Sequence, residues 1–144
     1  MTDPNPTTFE DFLITDMRAH GGTVTSGPLA GHPLLIMTSV GARSGEPRRA
    51  ILTFSRDGGD YIVAGTAGGA PSDPSWLPNI RANPNVFVEA EGNAPVEARA
   101  TIVDDAERDR LWDQHVAALP HFAAYPEQTG RVIPMARLTP KTSG

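Results

Sequence analysis

The sequence predicts an antiparallel α+β domain whose strands close into a small barrel. Six short apolar runs follow one another along the chain, separated by clusters of turn-forming residues. A long helical pattern stands near each end. Strands and helices do not alternate, which argues against a Rossmann-type arrangement.

The elements follow in order. Residues 1–8 are expected to be a flexible tail and residues 9–144 a single domain. Thr7 and Glu10 have capping-box spacing, and Phe9, Phe12, Leu13 and Met17 then recur at helical spacing until Gly21-Gly22 stops the helix. Residues 23–33 read as a loop. Residues 34–40 are an apolar, partly β-branched run, predicted to be a buried strand, and residues 50–55 are the next one. Asp57-Gly58-Gly59-Asp60 is a turn, and residues 61–64 return from it.

A glycine-rich loop over 65–71 leads into a short helix. Ser72 or Asp73 is expected to cap it, with Trp76, Leu77 and Ile80 facing inward. Pro78 is tolerable only in a first turn, so the helix must start later or kink. Residues 86–90 and 96–103 form a hairpin. Asp104 and Glu107 cap a second long helix, which presents Leu111, Trp112, His115, Val116 and Leu119 on one face and ends at Pro120. Residues 121–129 are expected to be a short helical or irregular piece. Residues 133–138 are a last strand, placed at an edge or a strand start by Pro134.

Composition narrows the function. The chain has no cysteine, which excludes disulfides, iron–sulfur clusters and thiol catalysis. Its formal charge of -5 argues against nucleic-acid binding. The polar N-terminus lacks the features of a signal peptide, and no apolar run is long enough to span a bilayer. The expected location is the cytoplasm, with membrane association through the N-terminal helix as a route to lipid-soluble substrates.

Against that acidic background, Gly41-Ala42-Arg43-Ser44-Gly45-Glu46-Pro47-Arg48-Arg49 packs three of the chain's 12 basic residues into seven positions. Arginine forks and glycine-backed N–H groups suit phosphate and carboxylate. The pattern fits an anion socket and equally a solvated hairpin turn. The loop at 65–71 precedes a helix, as phosphate loops do, but lacks the P-loop lysine and the GxGxxG pattern. The histidines His20, His32, His115 and His121 have no metal-ligand spacing, so no metal is expected. His115 reads as a satisfied core residue. The serines lack a nucleophile-elbow context. Trp76, Phe122 and Tyr125 are the aromatics placed to meet a flat ligand, with core packing the alternative for Trp76.

Pro33-Leu34-Leu35, Gly41 to Gly45, Pro47-Arg48, Asp57-Gly58, Gly68 to Pro71, Pro74, Trp76, Asn79, Ala82-Asn83-Pro84, Glu107-Arg108, Leu111-Trp112, Pro120, Tyr125, Arg131 and Ile133-Pro134 occur in a distinctive order. In that order the chain resembles the deazaflavin-dependent nitroreductases, also called F420H2-dependent quinone reductases. The resemblance covers about residues 17–138. It implies a split β-barrel of the FMN-binding type and coenzyme F420, whose phosphate and polyglutamate tail would occupy the arginine loop.

By the same resemblance, Ala42, Arg43 and Ser44 would meet the phosphate or tail. Arg48, Arg49, Ala50, Ile51, Leu52 and Thr53 would run along the coenzyme. Ala64, Gly65, Thr66 and Ala67 would line the deazaflavin, Ser75, Trp76, Leu77, Pro78 and Asn79 would complete the cleft, and Phe122 would cover the ring. The implied reaction is hydride transfer to a quinone, activated alkene or nitro compound, with Thr66 or Tyr125 as proton donor. An FMN enzyme and a non-catalytic carrier are the alternatives. A monomer and a homodimer both remain open. Other members show tyrosines where this chain has Leu119 and Phe122, a Ser-Lys pair at Thr66-Ala67 and a tyrosine-containing pair at Leu77-Pro78. The expected substrate side is therefore more apolar, and nitroimidazole reduction is less expected than coenzyme binding.

Overall fold

A computed structural model describes residues 9–25, 32–65, 74–125 and 132–141. The elements are α1 (Phe9–Ala19), β1 (Leu34–Val40), β2 (Pro47–Asp57), β3 (Asp60–Ala64), α2 (Trp76–Ala82), β4 (Asn85–Ala90), β5 (Val96–Ile102), α3 (Asp105–Ala118), a 3-10 helix (Pro120–Ala124) and β6 (Met135–Pro140). The strands form a closed barrel in the order β1-β2-β3-β6-β5-β4. Every neighbouring pair is antiparallel.

Period-two alternation decides what fills the barrel. Leu35 and Met37 of β1 point inward, with Phe54, Tyr61, Val63, Val86, Val88, Ala98, Ala100, Ala136 and Leu138 from the other strands. Trp76, Leu77 and Ile80 of α2 belong to the same buried cluster, so this short helix plugs one mouth of the barrel. Burying a side chain such as Leu77 contributes about 1.5–3 kcal/mol. That anchorage matters for a helix of 7 residues, too short to be stable alone.

The outward faces are covered by the longer helices. Leu13, Ile14 and Met17 of α1 pack on Leu34, Ile36 and Ile51. The α1 chain ends where Gly21 and Gly22 take φ of +70° and +101°, and the Gly22 N–H returns to the Met17 carbonyl at 2.7 Å. A Cβ on Gly22 would stand 2.8 Å from the Gly92 nitrogen, so the helix end abuts the β4–β5 turn. Across the barrel, Leu111 of α3 packs with Leu119, Phe122, Ile62, Ile133 and Met135. The Asp104 carboxylate caps α3 by accepting the Glu107 N–H at 2.9 Å, as its spacing predicts. His115 is fully buried, and a 2.6 Å hydrogen bond joins its Nδ1 to Ser55 Oγ.

One local expectation changes and two open choices are decided. Strand β2 begins at Pro47 rather than at residue 50, because Val40, Ser39 and Thr38 of β1 pair with Pro47, Arg48 and Arg49. Of the two places open to Pro134, an edge or a strand start, the structure takes the second: Pro134 stands just before β6, which lies between β3 and β5. Helix α2 takes the later start, with Ser75 at its N-cap making no side-chain bond, so Pro78 falls in the first turn. The expected caps Thr7, Ser72 and Asp73 lie outside the described residues.

Candidate functional site

Strands β1 and β3 both run antiparallel to β2, so their C-terminal ends open at the same mouth of the barrel. That is the mouth plugged by α2. The loop after β1 and the chain leaving β3 at Gly65 therefore flank the plug. Gly65 is held there by its N–H, which donates to the Pro134 carbonyl at 2.8 Å.

The β1–β2 loop is wired through its own backbone. The Gly41 N–H donates to the Glu46 carbonyl at 2.8 Å, and the Gly45 N–H donates to the Gly41 carbonyl at 2.9 Å. A Cβ at Gly41 would stand 2.5 Å from Ser44 Oγ and displace that hydroxyl, and Gly45 has φ +71°, a conformation that disfavours other residues. Ser44 Oγ accepts from the Glu46 N–H at 3.2 Å and from Arg48 Nη2 at 3.3 Å. Asn79 Oδ1, on α2, accepts the Ala42 N–H at 2.9 Å.

Between loop and plug lies an open cavity of about 470 Å³, lined by Gly41, Ala42, Arg43, Ser44, Arg48, Arg49, Ala50, Ser75, Trp76, Pro78 and Asn79. One wall is cationic and the other is largely apolar. Arg43 meets no carboxylate among the described residues. The carboxylate beside Arg48 is Glu46, at 3.7 Å, with both side chains more than half exposed. Such a pair is weak and easily displaced.

All the lining residues except Gly41 are ones the resemblance singled out. Gly41 enters through the sequence reading of the arginine loop as an anion socket rather than through the resemblance. Other expected residues lie elsewhere. Leu77 is fully buried in the barrel interior. Leu52 and Ile51 lie on opposite faces of β2, one against the interior and one beneath α1, and Thr53 pairs with Leu34 further along the strand. Ala64 is buried on the α3 side. Phe122 is 5% exposed, with its ring edge-on to His115 at 4.6 Å and to Tyr125 at 5.1 Å, and it does not line the cavity. Tyr125 is half-buried at the end of the 3-10 helix. Thr66 and Ala67 lie outside the described residues.

A closed antiparallel barrel with helices on its faces and an anion-suited cavity at its plugged mouth defines a split-barrel small-molecule-binding protein. Comparison with known proteins makes the class specific: the family model described as F420H(2)-dependent quinone reductase matches residues 13–140, and the chain belongs to that family. It is similar to an F420H(2)-dependent quinone reductase of Mycobacterium tuberculosis, with 32% identity over 109 residues, 74% of this chain and 73% of the relative. Among solved structures it resembles an F420-H2 dependent reductase, FDR-A, at TM-score 0.66 and 33% identity, covering 74% of this chain and 93% of that one. It also resembles a protein described as a domain-swapped dimer, at TM-score 0.68 and 31% identity, covering 87% and 93%. The chain is accordingly an F420-dependent oxidoreductase. Among the described residues no helix is long and apolar enough to cross a membrane.

Proposed function

We propose that this protein reduces an electron-poor small molecule, a quinone, activated alkene or nitro compound, with reduced F420 held at the plugged mouth of the barrel. The observation that carries this reading is the cavity itself, with the arginines and Ala50 on the β1–β2 side and Trp76 and Pro78 on the α2 side. Its donors suit the coenzyme's anionic part: the forks of Arg43 and Arg48 and the Ser44 hydroxyl can bind phosphate and carboxylate oxygens. The apolar wall suits a flat ring.

When bound, reduced F420 supplies a hydride. The protein's tasks are then to hold the anionic part, to place the ring at the mouth and to deliver a proton. A quinone that accepts a hydride and one proton becomes a hydroquinone, so the electrons and charges balance. Tyr125 and Thr66 are the side chains proposed to hold or donate that proton. Tyr125→Phe is expected to lower kcat about 10-fold or more while leaving coenzyme Kd within about twofold. A homodimer is the proposed assembly, after the domain-swapped relative.

Stopped-flow oxidation of reduced F420 against a panel of quinones, enones and nitroarenes tests the activity. Turnover with at least one class supports the reading. Tight coenzyme binding with no oxidation across the panel would contradict it and favour a carrier.

A further inference from the structure

The loop that frames the cavity is exposed from Ala42 to Glu46, whereas α2 opposite it is fixed in the core by Trp76, Leu77 and Ile80. Closure of the loop by the Gly45 N–H onto the Gly41 carbonyl leaves the N–H groups of Ala42, Arg43 and Ser44 without main-chain acceptors. Asn79 takes the first of these at 2.9 Å, across 37 positions of sequence. An N–H can meet only an acceptor, so Oδ1 faces the loop and the Asn79 NH2 group faces away from it. Asn79 is 9% exposed and lines the cavity. The N–H groups of Arg43 and Ser44 have no acceptor among the described residues.

We propose that Asn79 is a positioning residue for anion recognition: it ties the arginine loop to the barrel plug at Ala42, which holds the loop in the form that leaves the Arg43 and Ser44 N–H groups open to an anionic ligand in the cavity that these residues and Asn79 line. The proposal rests on the reading of this cavity as an anion site and says how the site is held in shape. An anchored loop has already lost the freedom that binding would otherwise remove, so affinity improves without a new contact. The anchor is selective, because its acceptor satisfies Ala42 and leaves the next two donors open.

Two variants of the full chain test it, each first checked for folding by thermal unfolding. Asn79→Ala removes the acceptor. Asn79→Asp keeps an acceptor for Ala42 and replaces the NH2 by a charged oxygen. By amide hydrogen exchange, Asn79→Ala is expected to speed exchange at Ala42 about 10-fold or more while Met37, in β1, keeps its protection. Asn79→Asp is expected to leave Ala42 protected. In titrations with inorganic pyrophosphate and with F420, Asn79→Ala weakens both ligands about 10-fold at low and high salt. Asn79→Asp also weakens both, but its loss shrinks as salt screens the added charge.

Unchanged exchange at Ala42 in Asn79→Ala overturns the anchor whatever the coenzyme does. Faster exchange throughout α2 and β1 also overturns it, because the side chain would then be supporting the fold at large. Localised exchange at Ala42 with weakened pyrophosphate binding supports it, even if F420 fails to bind the wild-type chain. That last result would instead sink the coenzyme reading.

Discussion

Arg137 and Arg43 show what an arginine does on two sides of one barrel. Arg137 donates to Asp60 at 2.7 Å, to Asp57 at 2.8 Å and to Glu107 at 3.2 Å, and its side chain is 18% exposed. Arg110 joins the same network through Asp57. On the α1 side, Arg18 grips Glu89 with two bonds of 2.9 Å. Arg43 lines a cavity and meets no carboxylate among the described residues. Acidic residues outnumber basic ones 17 to 12, so partners for a cation are plentiful in this chain. An arginine left without one at a cavity wall is therefore informative: its counter-charge is expected to arrive with a ligand.

The contrast is broken first at the cavity. Arg43→Ala with Arg48→Ala is expected to weaken F420 about 100-fold, as loss of two charge-assisted contacts should, and to leave the melting temperature within about 2 °C. Near-normal affinity in isothermal titration calorimetry would remove the arginines from the site. Arg137→Ala should do the reverse. It leaves the half-buried Asp60 carboxylate without its arginine and Asp57 and Glu107 with Arg110 alone, so unfolding in urea is expected to show a loss of about 2 kcal/mol, with coenzyme affinity unchanged.

Acid sharpens the same comparison. Hydrogen bonds from Arg110 and then Arg137 lower the Asp57 carboxyl from 3.8 to about 2. A carboxyl lowered on folding adds stability that is fully present above its unfolded value and is lost as pH falls from about 4 to about 2. Solvent screening of the half-exposed Arg110 reduces the expected loss to on the order of 1 kcal/mol. Asp57→Asn should flatten that stretch of the urea midpoint against pH, and an unchanged slope would place the acid sensitivity elsewhere. The smallest effect belongs to Glu46, the acid set beside the cavity's Arg48. Glu46→Gln is expected to tighten F420 about 2–5-fold at low salt and to have no effect near 0.5 M salt. Weaker binding in the variant would mean that Glu46 orients Arg48 rather than competing for it.

Much of this was legible because local chemistry decides it. The turn at Asp57 to Asp60, the Asp104 cap and the apolar run that makes β1 a buried strand are written in neighbouring residues. So is the cavity's cationic wall, since Arg43, Ser44 and Arg48 lie within one loop and its following strand. What escaped depends on partners distant in sequence. Arg48 and Arg49 became strand residues because β1 supplied the pairing, and the choice between an edge and a strand start for Pro134 was decided by the barrel closing around β6. The inward turn of Leu77 and the outward turn of Pro78 follow from where α2 begins, one residue after Ser75. Phe122 reads as a ligand-facing aromatic from its spacing to Tyr125. Its contacts with His115 and Trp112, brought alongside by α3, are not legible from that spacing.

Fluorescence titration of the purified chain with oxidised F420, with FMN alongside and at low and high salt, tests the central claim most directly. The account predicts micromolar or tighter binding of F420, at least about tenfold tighter than FMN, weakening as salt rises. Binding of FMN alone, binding of neither, or an F420 affinity indifferent to salt would contradict it.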